Sequence, residues 1–409
     1  MMVSAVRSTP RPRADSTVSG VTVVGIPARD EATTIAAVAR AADAGLRLAF
    51  PGGNNLVVLA DNGSTDGTPE AFLAAPTDTP KRVVQSGGGA TGKGTNVLAL
   101  ITTALEVRAE RLILLDADLR SARADWIGRL ASAVDGPEPR LAVPVYRRNR
   151  YEANTTNHLA RPLVAALFGR HLQQPIGGEF ALNRALLCRV PEWPHPASAQ
   201  LYGIDIWLTA NTLREGHPVV EVPLGRKLHN SPFPKILHLP QQVLDSLFHV
   251  ALRRERPQPA ALDGPVIRRA VDSAAAPQDP ALVAEVGASV RRYLAAHGPE
   301  MGRFFPNMAA LPAAPWGPRI ATQDWPPLLA DAVQTLAAGH FQSARDHLIA
   351  LYVSRVLSFF EEIEQLNDTE INALLDRQAL HTVKMVSDRS ITFAGPPASA
   401  EFDRGFWTG

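Results

Sequence analysis

Short apolar runs alternate with helical patterns along the first half of the chain. "VTVV", residues 21–24, is typical of a strand of β-branched residues, and the chain breaks after it at Gly25 and Pro27. Residues 31–45 then space their apolar side chains three and four positions apart, which predicts a helix. "NLVVLA", "RVVQ" and "RLILL" repeat the pattern further on. Strand and helix alternate in this way over about a hundred residues, which predicts an open, mostly parallel α/β sheet.

The pattern changes after about residue 255, where Pro-rich junctions separate helical stretches such as 280–298 and 340–366. We therefore expect a disordered tail over 1–20, an α/β domain over 21–255 and a mainly helical region over 256–409. The tail is rich in Arg, Ser and Pro and lacks the apolar core of an export signal. Packing on the α/β domain is the simplest role for the helical region, and the alternatives are a cap on a substrate site or a homodimer interface.

The composition is that of an ordinary globular protein of 409 residues, with 45% hydrophobic and 20% charged residues. A formal net charge of +1 gives no sign of broad electrostatic capture of nucleic acid. The single cysteine, Cys188, excludes an internal disulfide and a multi-cysteine zinc site. No apolar run approaches the roughly 18 residues that a membrane span requires. We expect a cytoplasmic protein without nucleic-acid partners.

Two aspartates follow one of the apolar runs. "LILLDADLR", residues 112–120, places Asp116 and Asp118 on either side of one alanine. Side chains two positions apart in an extended chain point the same way, so both carboxylates can face one site. A hard cation such as Mg²⁺ or Mn²⁺ prefers oxygen ligands and would offset the cost of bringing two carboxylates together. The plain alternative is that the strand ends at the surface and the aspartates begin a loop.

The glycine-rich "SGGGATGKG", residues 86–94, suggests a phosphate-binding loop but does not meet the P-loop pattern. Lys93 is followed by Gly94, where that pattern requires Ser or Thr. Backbone amides and Lys93 can still approach an anionic group there. The alternative is a hinge loop without a ligand.

Three further side chains stand out by their surroundings. Glu179 follows Gly177 and Gly178, which allow close approach of backbone to a ligand, although an acid there can equally complement a helix N-terminus. Asp205 lies in the apolar "YGIDIWL", where a buried acid is costly without a function. Its alternative role is to satisfy a helix end. His229 follows a strand-like segment, and a lone histidine is more often structural than a metal ligand.

In order and spacing, seven motifs over about residues 20–255 resemble GT-A glycosyltransferases, which implies a Rossmann-like, mostly parallel sheet flanked by helices. More narrowly, they resemble the retaining enzymes of the glucosyl-3-phosphoglycerate synthase and mannosylglycerate synthase group. The motifs are "GIPARDEATTI", "ADNGSTDGT", "TGKG", "DADL", "QPIGGEFAL", "YGIDIWL" and "KLHN". The segment "LYVSRVLSFF" in the helical region is similar to the C-terminal helices of mannosylglycerate synthase.

The resemblance implies a role for each matching position. The residues that would contact the base, ribose or diphosphate of a nucleotide sugar are Pro27, Ala28, Glu31, Asp61, Asn62, Gly63, Ser64, Gly92, Lys93, Gly94 and Asp116. The implied metal ligands are Asp118 and His229. Acids near the reacting carbon would be Glu179 and Asp205. Other substrate-binding positions would be Gly177, Gly178, Asn154, Thr156 and Asn230.

One departure concerns the acceptor. In the phosphoglycerate enzymes the acceptor loop carries Gly-Arg two residues before a threonine, whereas this chain has Ala153 and Asn154 before Thr156. Loss of that guanidinium removes a bidentate anion clamp. Nearby arginines that can compensate are Arg147, Arg148 and Arg150. Both 3-phosphoglycerate and an unphosphorylated hydroxy acid such as D-glycerate therefore stay open as acceptors.

The resemblance implies a metal-dependent retaining transfer of glucose or mannose from a nucleotide diphosphate sugar to a small carboxylated acceptor, with Mg²⁺ or Mn²⁺. One alternative is an inverting GT-A enzyme with a lipid-linked or polysaccharide acceptor, in which Asp205 or Glu179 would act as the base. A nucleotidyltransferase normally has a glycine-rich signature directly after the first strand, which "GIPARDE" does not supply. A protein that binds nucleotide sugars without catalysis is the third alternative.

Overall fold

The computed structural model describes residues 20–86, 92–255, 257, 271–272, 278–393 and 395. The predicted disordered tail, apart from Gly20, and residues 87–91 of the glycine-rich loop lie outside the described residues.

A single large sheet forms the centre of the α/β region. Its strands, in chain order, are β1 (Thr22–Ala28), β2 (Asn55–Asp61), β3 (Lys81–Gln85), β4 (Arg111–Leu114), β5 (Leu141–Asn149), β6 (Ala181–Asn183), β7 (Val219–Arg226) and β8 (Val271–Asp272). The order across the sheet is β3-β2-β1-β4-β6-β5-β7, and β8 pairs with β5. Only β6 among these strands is antiparallel to its neighbours. The predicted mostly parallel sheet is therefore confirmed.

Within the described residues, eight helices accompany the sheet and four follow it. The first eight are α1 (Ile35–Ala49), α2 (Thr68–Ala74), α3 (Lys93–Glu106), α4 (Asp125–Ala133), α5 (Arg161–Phe168), α6 (Arg184–Arg189), α7 (Ile204–Arg214) and α8 (Leu239–Ala251). The last four are α9 (Pro280–Phe304), α10 (Trp325–Ala337), α11 (Phe341–Glu362) and α12 (Asp368–Ser387). The mainly helical C-terminal region is confirmed.

Short elements complete the described chain. A π-helical turn runs over Thr156–Ala160, and two-residue strands β9 (Ala313–Ala314) and β10 (Gly317–Pro318) form a small hairpin. The 3₁₀ turns are Val190–Glu192, Ala197–Gln200, Phe233–Lys235 and Pro306–Ala310. No helix in the described part of the chain combines the length and apolar character needed to cross a membrane.

The continuous apolar runs reflect burial on both faces of the sheet. Every residue of β1 is buried, and successive residues point to different layers. Val23 packs in a cluster that includes α3 and α7, whereas Val24 packs in a second cluster with α1 and α4. Because helices cover both faces of the sheet, both sides of each strand carry apolar residues. Apolar and polar positions therefore do not alternate along these strands.

The first of these clusters continues from the sheet into the C-terminal helices. It joins Leu112 of β4 to Trp325 of α10 and Leu348 of α11, all fully buried. A buried ion pair adds to the contact, since Arg345 of α11 lies 3.1 Å from Asp245 of α8. The described C-terminal helices therefore share their apolar core with the sheet.

Because β6 alone runs against the others, β1, β2, β4, β5 and β7 all point their carboxyl ends to one edge of the sheet. Ligands of open α/β sheets bind outside that edge. The polar motifs of the sequence follow these strands, so the topology brings them together.

Candidate active site

A cleft of about 430 Å³ opens at the carboxyl edge of the sheet. Most of the residues that the sequence suggested line it. These are Pro27, Ala28, Glu31, Asn62, Gly92, Lys93, Asp116, Asp118, Asn154, Thr156, Gly177, Gly178, Asp205, His229 and Asn230. Segments that are far apart in the sequence therefore meet at one site.

The other suggested residues lie just behind the cleft. Asp61 closes the turn after β2, since its carboxylate accepts hydrogen bonds from the backbone N–H of Gly63 at 3.0 Å and of Ser64 at 3.1 Å. Gly94 packs so closely that an added Cβ would lie 1.9 Å from the carbonyl oxygen of Ala199. Glu179 is fully buried. Five suggested residues therefore support the lining of the cleft and are not part of it: Asp61, Gly63, Ser64, Gly94 and Glu179.

Five charged side chains, four of which line the cleft, form a network of alternating charge. Lys93 Nζ lies 2.8 Å from Asp116 Oδ1 and 3.1 Å from Asp205 Oδ2. Lys227 Nζ lies 2.9 Å from Asp116 Oδ2 and 2.8 Å from Glu179 Oε2. Each ammonium therefore sits between two carboxylates, and Asp116 is paired on both of its oxygens.

This pairing decides how the buried acids ionise. Burial opposes the charge on Asp116, but Lys227 and then Lys93 hold the pKa of its carboxyl well below the usual range. Burial raises the pKa of Glu179 to about 7, against the opposing effect of Lys227. Glu179 also accepts a hydrogen bond of 2.8 Å from the Tyr146 hydroxyl. At Asp116 the two lysines thus supply positive charge where the sequence had suggested a divalent cation.

Gly178 is required by this network. Its φ of +97° lies in the region that favours glycine, and an added Cβ would lie 2.2 Å from Asp116 Oδ2 and 2.9 Å from Lys227 Nζ. The preceding carbonyl, of Gly177, accepts a hydrogen bond of 2.9 Å from Lys227. The two glycines let the backbone approach the paired charges directly.

Asp118 has different surroundings from Asp116. Its carboxylate lies 3.9 Å from His229 Nδ1 and accepts a hydrogen bond of 3.3 Å from the backbone N–H of Asn230. Burial, and then the negative charge of Asp116, raise the pKa of Asp118. Burial also lowers the pKa of His229, so the imidazole is neutral near pH 7.

A carboxylate beside a neutral imidazole is a donor pair that fits a divalent cation. No cluster of three or more His, Cys, Asp or Glu side chains suited to a metal occurs in the described residues. Mg²⁺ and Mn²⁺ commonly take one or two protein ligands and complete their shell with phosphate oxygens and water. Asp118 and His229, at the edge of an open cleft, suit that kind of binding.

The sequence did not single out Lys227 or Tyr146, although both belong to the network through Glu179. Lys227 lies two positions before His229, in "GRKLHN". That spacing in an extended segment was the available signal, because it places the two side chains toward the same site.

The loop after β5 forms the other wall of the cleft. Ala153 has a positive φ of 57°, and Asn154 donates a hydrogen bond of 3.0 Å from Nδ2 to the carbonyl of Tyr151. Of the arginines that precede it, Arg147 is exposed, and Arg150 is ion-paired with Asp368 at 3.2 Å.

Comparison with known proteins identifies the family. The glycosyl transferase family 2 model matches residues 23–192. Glucosyl-3-phosphoglycerate synthase of Mycolicibacterium paratuberculosis is 31% identical over 244 residues, which cover 55% of this chain and 70% of that protein.

Two solved structures are also similar to this chain. A mycobacterial protein has a TM-score of 0.48 and 25% identity over 59% of this chain and 80% of its own. Glucosyl-3-phosphoglycerate synthase of Mycobacterium tuberculosis, in complex with phosphoglyceric acid, has a TM-score of 0.46 and 24% identity, covering 57% and 80%. The family match and the sheet topology confirm the expected GT-A fold. The chain belongs to the glycosyl transferase family that contains glucosyl-3-phosphoglycerate synthase, and it is a glycosyltransferase.

Proposed function

We propose that this glycosyltransferase moves a hexose from a nucleotide diphosphate sugar to the hydroxyl of a small carboxylated acceptor, with retention of anomeric configuration and with Mg²⁺ or Mn²⁺. The relative's name, glucosyl-3-phosphoglycerate synthase, supports both the hexose and the type of acceptor. The seven motifs and the contents of the cleft support the nucleotide-sugar donor.

The observation that carries the proposal is the contrast between the two aspartates after β4. Asp116 is neutralised by Lys93 and Lys227, whereas Asp118 has no lysine within ion-pairing distance among the described residues and lies 3.9 Å from His229. Asp118 and His229 would hold the cation, which when bound offsets the charge that develops on the leaving diphosphate.

Residues at the ends of β1 and β2 would receive the nucleotide. The backbone of Ala28 is fixed there, because its carbonyl accepts hydrogen bonds from Asn96 Nδ2 at 2.9 Å and from the backbone N–H of Asn62 at 3.2 Å. The Asp61 turn holds the next loop in place. Because these hydrogen bonds already order the pocket, binding of a nucleotide costs less conformational entropy of the protein.

Same-face attack is the mechanism that the acids of the site favour. Asp205, the candidate base of an inverting enzyme, is ion-paired with Lys93, and Glu179 is fully buried against Lys227. In each case the neighbouring lysine favours the charged carboxylate, which makes it a weaker base. In the proposed reaction the acceptor oxygen bonds to the anomeric carbon as the bond from that carbon to the phosphate oxygen breaks, and the hydroxyl proton passes to the leaving phosphate.

A substrate screen tests the proposal. UDP-glucose, GDP-glucose and GDP-mannose are each incubated with D-glycerate or 3-phosphoglycerate and with Mg²⁺, Mn²⁺ or EDTA. We expect transfer that requires a cation, and proton NMR coupling of the product should show the anomeric configuration of the donor. An inverted product would overturn the retaining mechanism. Binding of donors without turnover in any combination would contradict the enzymatic proposal.

A further inference from the structure

Charge is distributed unevenly around the cleft. Its four lining carboxylates are Glu31, Asp116, Asp118 and Asp205. The segments 148–156 and 229–235 contribute a wall with no carboxylate among its described lining residues, which we call the acid-free wall. Its members are Arg148, Ala153, Asn154, Thr155, Thr156, His229, Asn230, Ser231, Pro232 and Lys235.

The acid-free wall is continuous. Six of its members also line a small adjoining cavity of about 30 Å³, which shows that the two segments lie against each other. Glu152 lines that smaller cavity and not the main cleft. Among the described residues, one side of the cleft therefore offers cations and hydroxyl groups to a ligand without a competing acid.

Arg148 is unusual among the buried arginines of the described chain. The other three are Arg161, Arg345 and Arg355, and each is ion-paired with a carboxylate. Arg148 is only 7% exposed and has no carboxylate within 4.0 Å among the described residues, and its Nε has no hydrogen-bond partner. A buried charge without a counter-ion is costly, so the guanidinium needs an anion that the protein does not provide.

His229 lies between Arg148 and Asp118, the other candidate cation ligand. Nε2 of the imidazole lies 2.5 Å from Arg148 Nη1, while Nδ1 is the nitrogen near Asp118. The guanidinium also lies over the ring of Tyr146, 5.5 Å from its centre. An anion bound by Arg148 would therefore lie on the Nε2 side of the imidazole, whereas a cation held with Asp118 would lie on its Nδ1 side.

We propose that Arg148 binds the carboxylate of the acceptor, which makes the preferred acceptor a small hydroxy acid with one carboxylate and no phosphate. The inference rests on the proposed glycosyl transfer and names the acceptor class for it. Lys235, on the exposed rim, and the hydroxyl-bearing Thr155 and Thr156 complete the surroundings. Asn154 adds no charge, and its amide N–H already donates to Tyr151, so the wall offers one buried positive charge for one carboxylate.

The test compares a charged acceptor with a neutral one that has the same hydroxyl chemistry. kcat/KM is measured for D-glycerate and for glycerol with wild type, Arg148→Gln and Arg147→Gln. Arg147 is the matched control, because it is the adjacent arginine and its side chain is exposed outside the cleft. Arg148→Gln should lower the ratio of D-glycerate to glycerol by roughly tenfold to a hundredfold, as expected for loss of a charge-assisted hydrogen bond. Arg147→Gln should keep the wild-type ratio, and Arg148→Lys should retain part of it.

Other outcomes overturn the inference in recognisable ways. An equal loss for both acceptors, or a fall in UDP affinity by calorimetry that matches the loss for D-glycerate, would assign Arg148 to the donor. A larger loss for 3-phosphoglycerate than for D-glycerate would make the anion a phosphate. Transfer to neutral acceptors alone, by the wild-type enzyme, would overturn the acceptor class while leaving glycosyl transfer intact. Absence of transfer from every donor would instead reject the proposed function.

Discussion

The two walls of the cleft differ in how the charges of their side chains are balanced. On the donor wall, at the ends of β1, β2 and β4, charged side chains neutralise one another, as Asp116 does with Lys93 and Lys227. On the acid-free wall, Arg148 is buried without a carboxylate among the described residues. A wall that is already neutral positions a ligand by shape and direction, whereas a wall with an unbalanced charge selects a ligand by its charge.

The walls also differ in what supports them. The donor wall continues the strands of the sheet and is held by local turns such as that of Asp61. The segment after β5 is held by residues about two hundred positions further along. Thr155 Oγ1 lies 3.2 Å from the Tyr352 hydroxyl, and Arg150 donates hydrogen bonds to the carbonyl of Leu366 and the carboxylate of Asp368. The C-terminal helices thus act as a scaffold for this segment.

The π-helical turn that follows is fixed in the same way. Gln378 Nε2 donates a hydrogen bond of 3.0 Å to the carbonyl of Asn157, and Trp325 Nε1 donates one of 2.6 Å to that of His158. The ring of His158 meets that of Phe359 edge to face at 4.6 Å. These contacts show that the C-terminal helices pack on the catalytic region, and a homodimer interface stays a prediction.

The largest expected effect comes from the two candidate cation ligands, Asp118 on the donor wall and His229 on the acid-free wall. Asp118→Ala or His229→Ala should lower metal-dependent turnover at least about a thousandfold, because the leaving diphosphate loses the cation that offsets its charge. Asp78→Ala, at an exposed position outside the cleft, is the control. Initial rates at saturating Mn²⁺ measure the effect, and circular dichroism checks the fold. Wild-type rates in either variant would remove the metal model.

The second prediction concerns the stability of the donor wall. Lys227→Met leaves Asp116 and the buried Glu179 without their shared ammonium and should lower the free energy of unfolding by about 3–5 kcal/mol. Adding Glu179→Gln should recover part of that loss, because a neutral amide is cheaper to bury than an unpaired carboxylate. Urea denaturation measures both variants. A change below about 1 kcal/mol for Lys227→Met would mean that the network is solvated in solution.

A third prediction alters the acid-free wall. Asn154→Arg adds a second guanidinium to it and should raise the preference for 3-phosphoglycerate over D-glycerate by about tenfold, since a phosphate can then bind two cations. Asn154→Gln keeps an uncharged amide and should leave the ratio near the wild-type value. The measurement is the ratio of kcat/KM for the two acceptors. An unchanged ratio in Asn154→Arg would show that position 154 does not contact the acceptor.

The smallest expected effect tests the scaffold. Tyr352→Phe removes the hydroxyl that contacts Thr155 and should raise the KM for the acceptor a few-fold, corresponding to a hydrogen bond of about 1 kcal/mol, with little change in donor KM. Tyr293→Phe is a matched control, because its hydroxyl contacts His347 at 2.7 Å within the C-terminal helices and outside the cleft. Equal effects of the two variants on acceptor KM would assign Tyr352 a general role in stability.

The sheet and the donor wall were largely predictable from the sequence because their signals are local. Each apolar run is directly followed by the polar residues that its strand delivers to the cleft, so Asp116, Asp118 and Asn62 could be placed without coordinates. Glu179 shows the limit of that reasoning. Its position after two glycines pointed to the site, but its burial against Lys227 depends on a contact between residues 48 positions apart.

The acid-free wall was less predictable because long-range packing selects its members. The sequence alone does not distinguish the roles of Arg147, Arg148 and Arg150. The alternation of β5 turns Arg147 outward and Arg148 inward, and the C-terminal helices bind Arg150. Only the packed structure shows that Arg148 is the buried arginine without a carboxylate within 4.0 Å among the described residues.

Binding of UDP by calorimetry, with Mn²⁺ and with EDTA, tests the central claim that Asp118 and His229 together bind the cation of the sugar nucleotide. Wild-type protein should bind UDP at least about tenfold more tightly with Mn²⁺, and Asp118→Asn and His229→Ala should each lose that dependence while keeping the weaker metal-free binding. The wild-type dependence on Mn²⁺ in both variants would contradict the account.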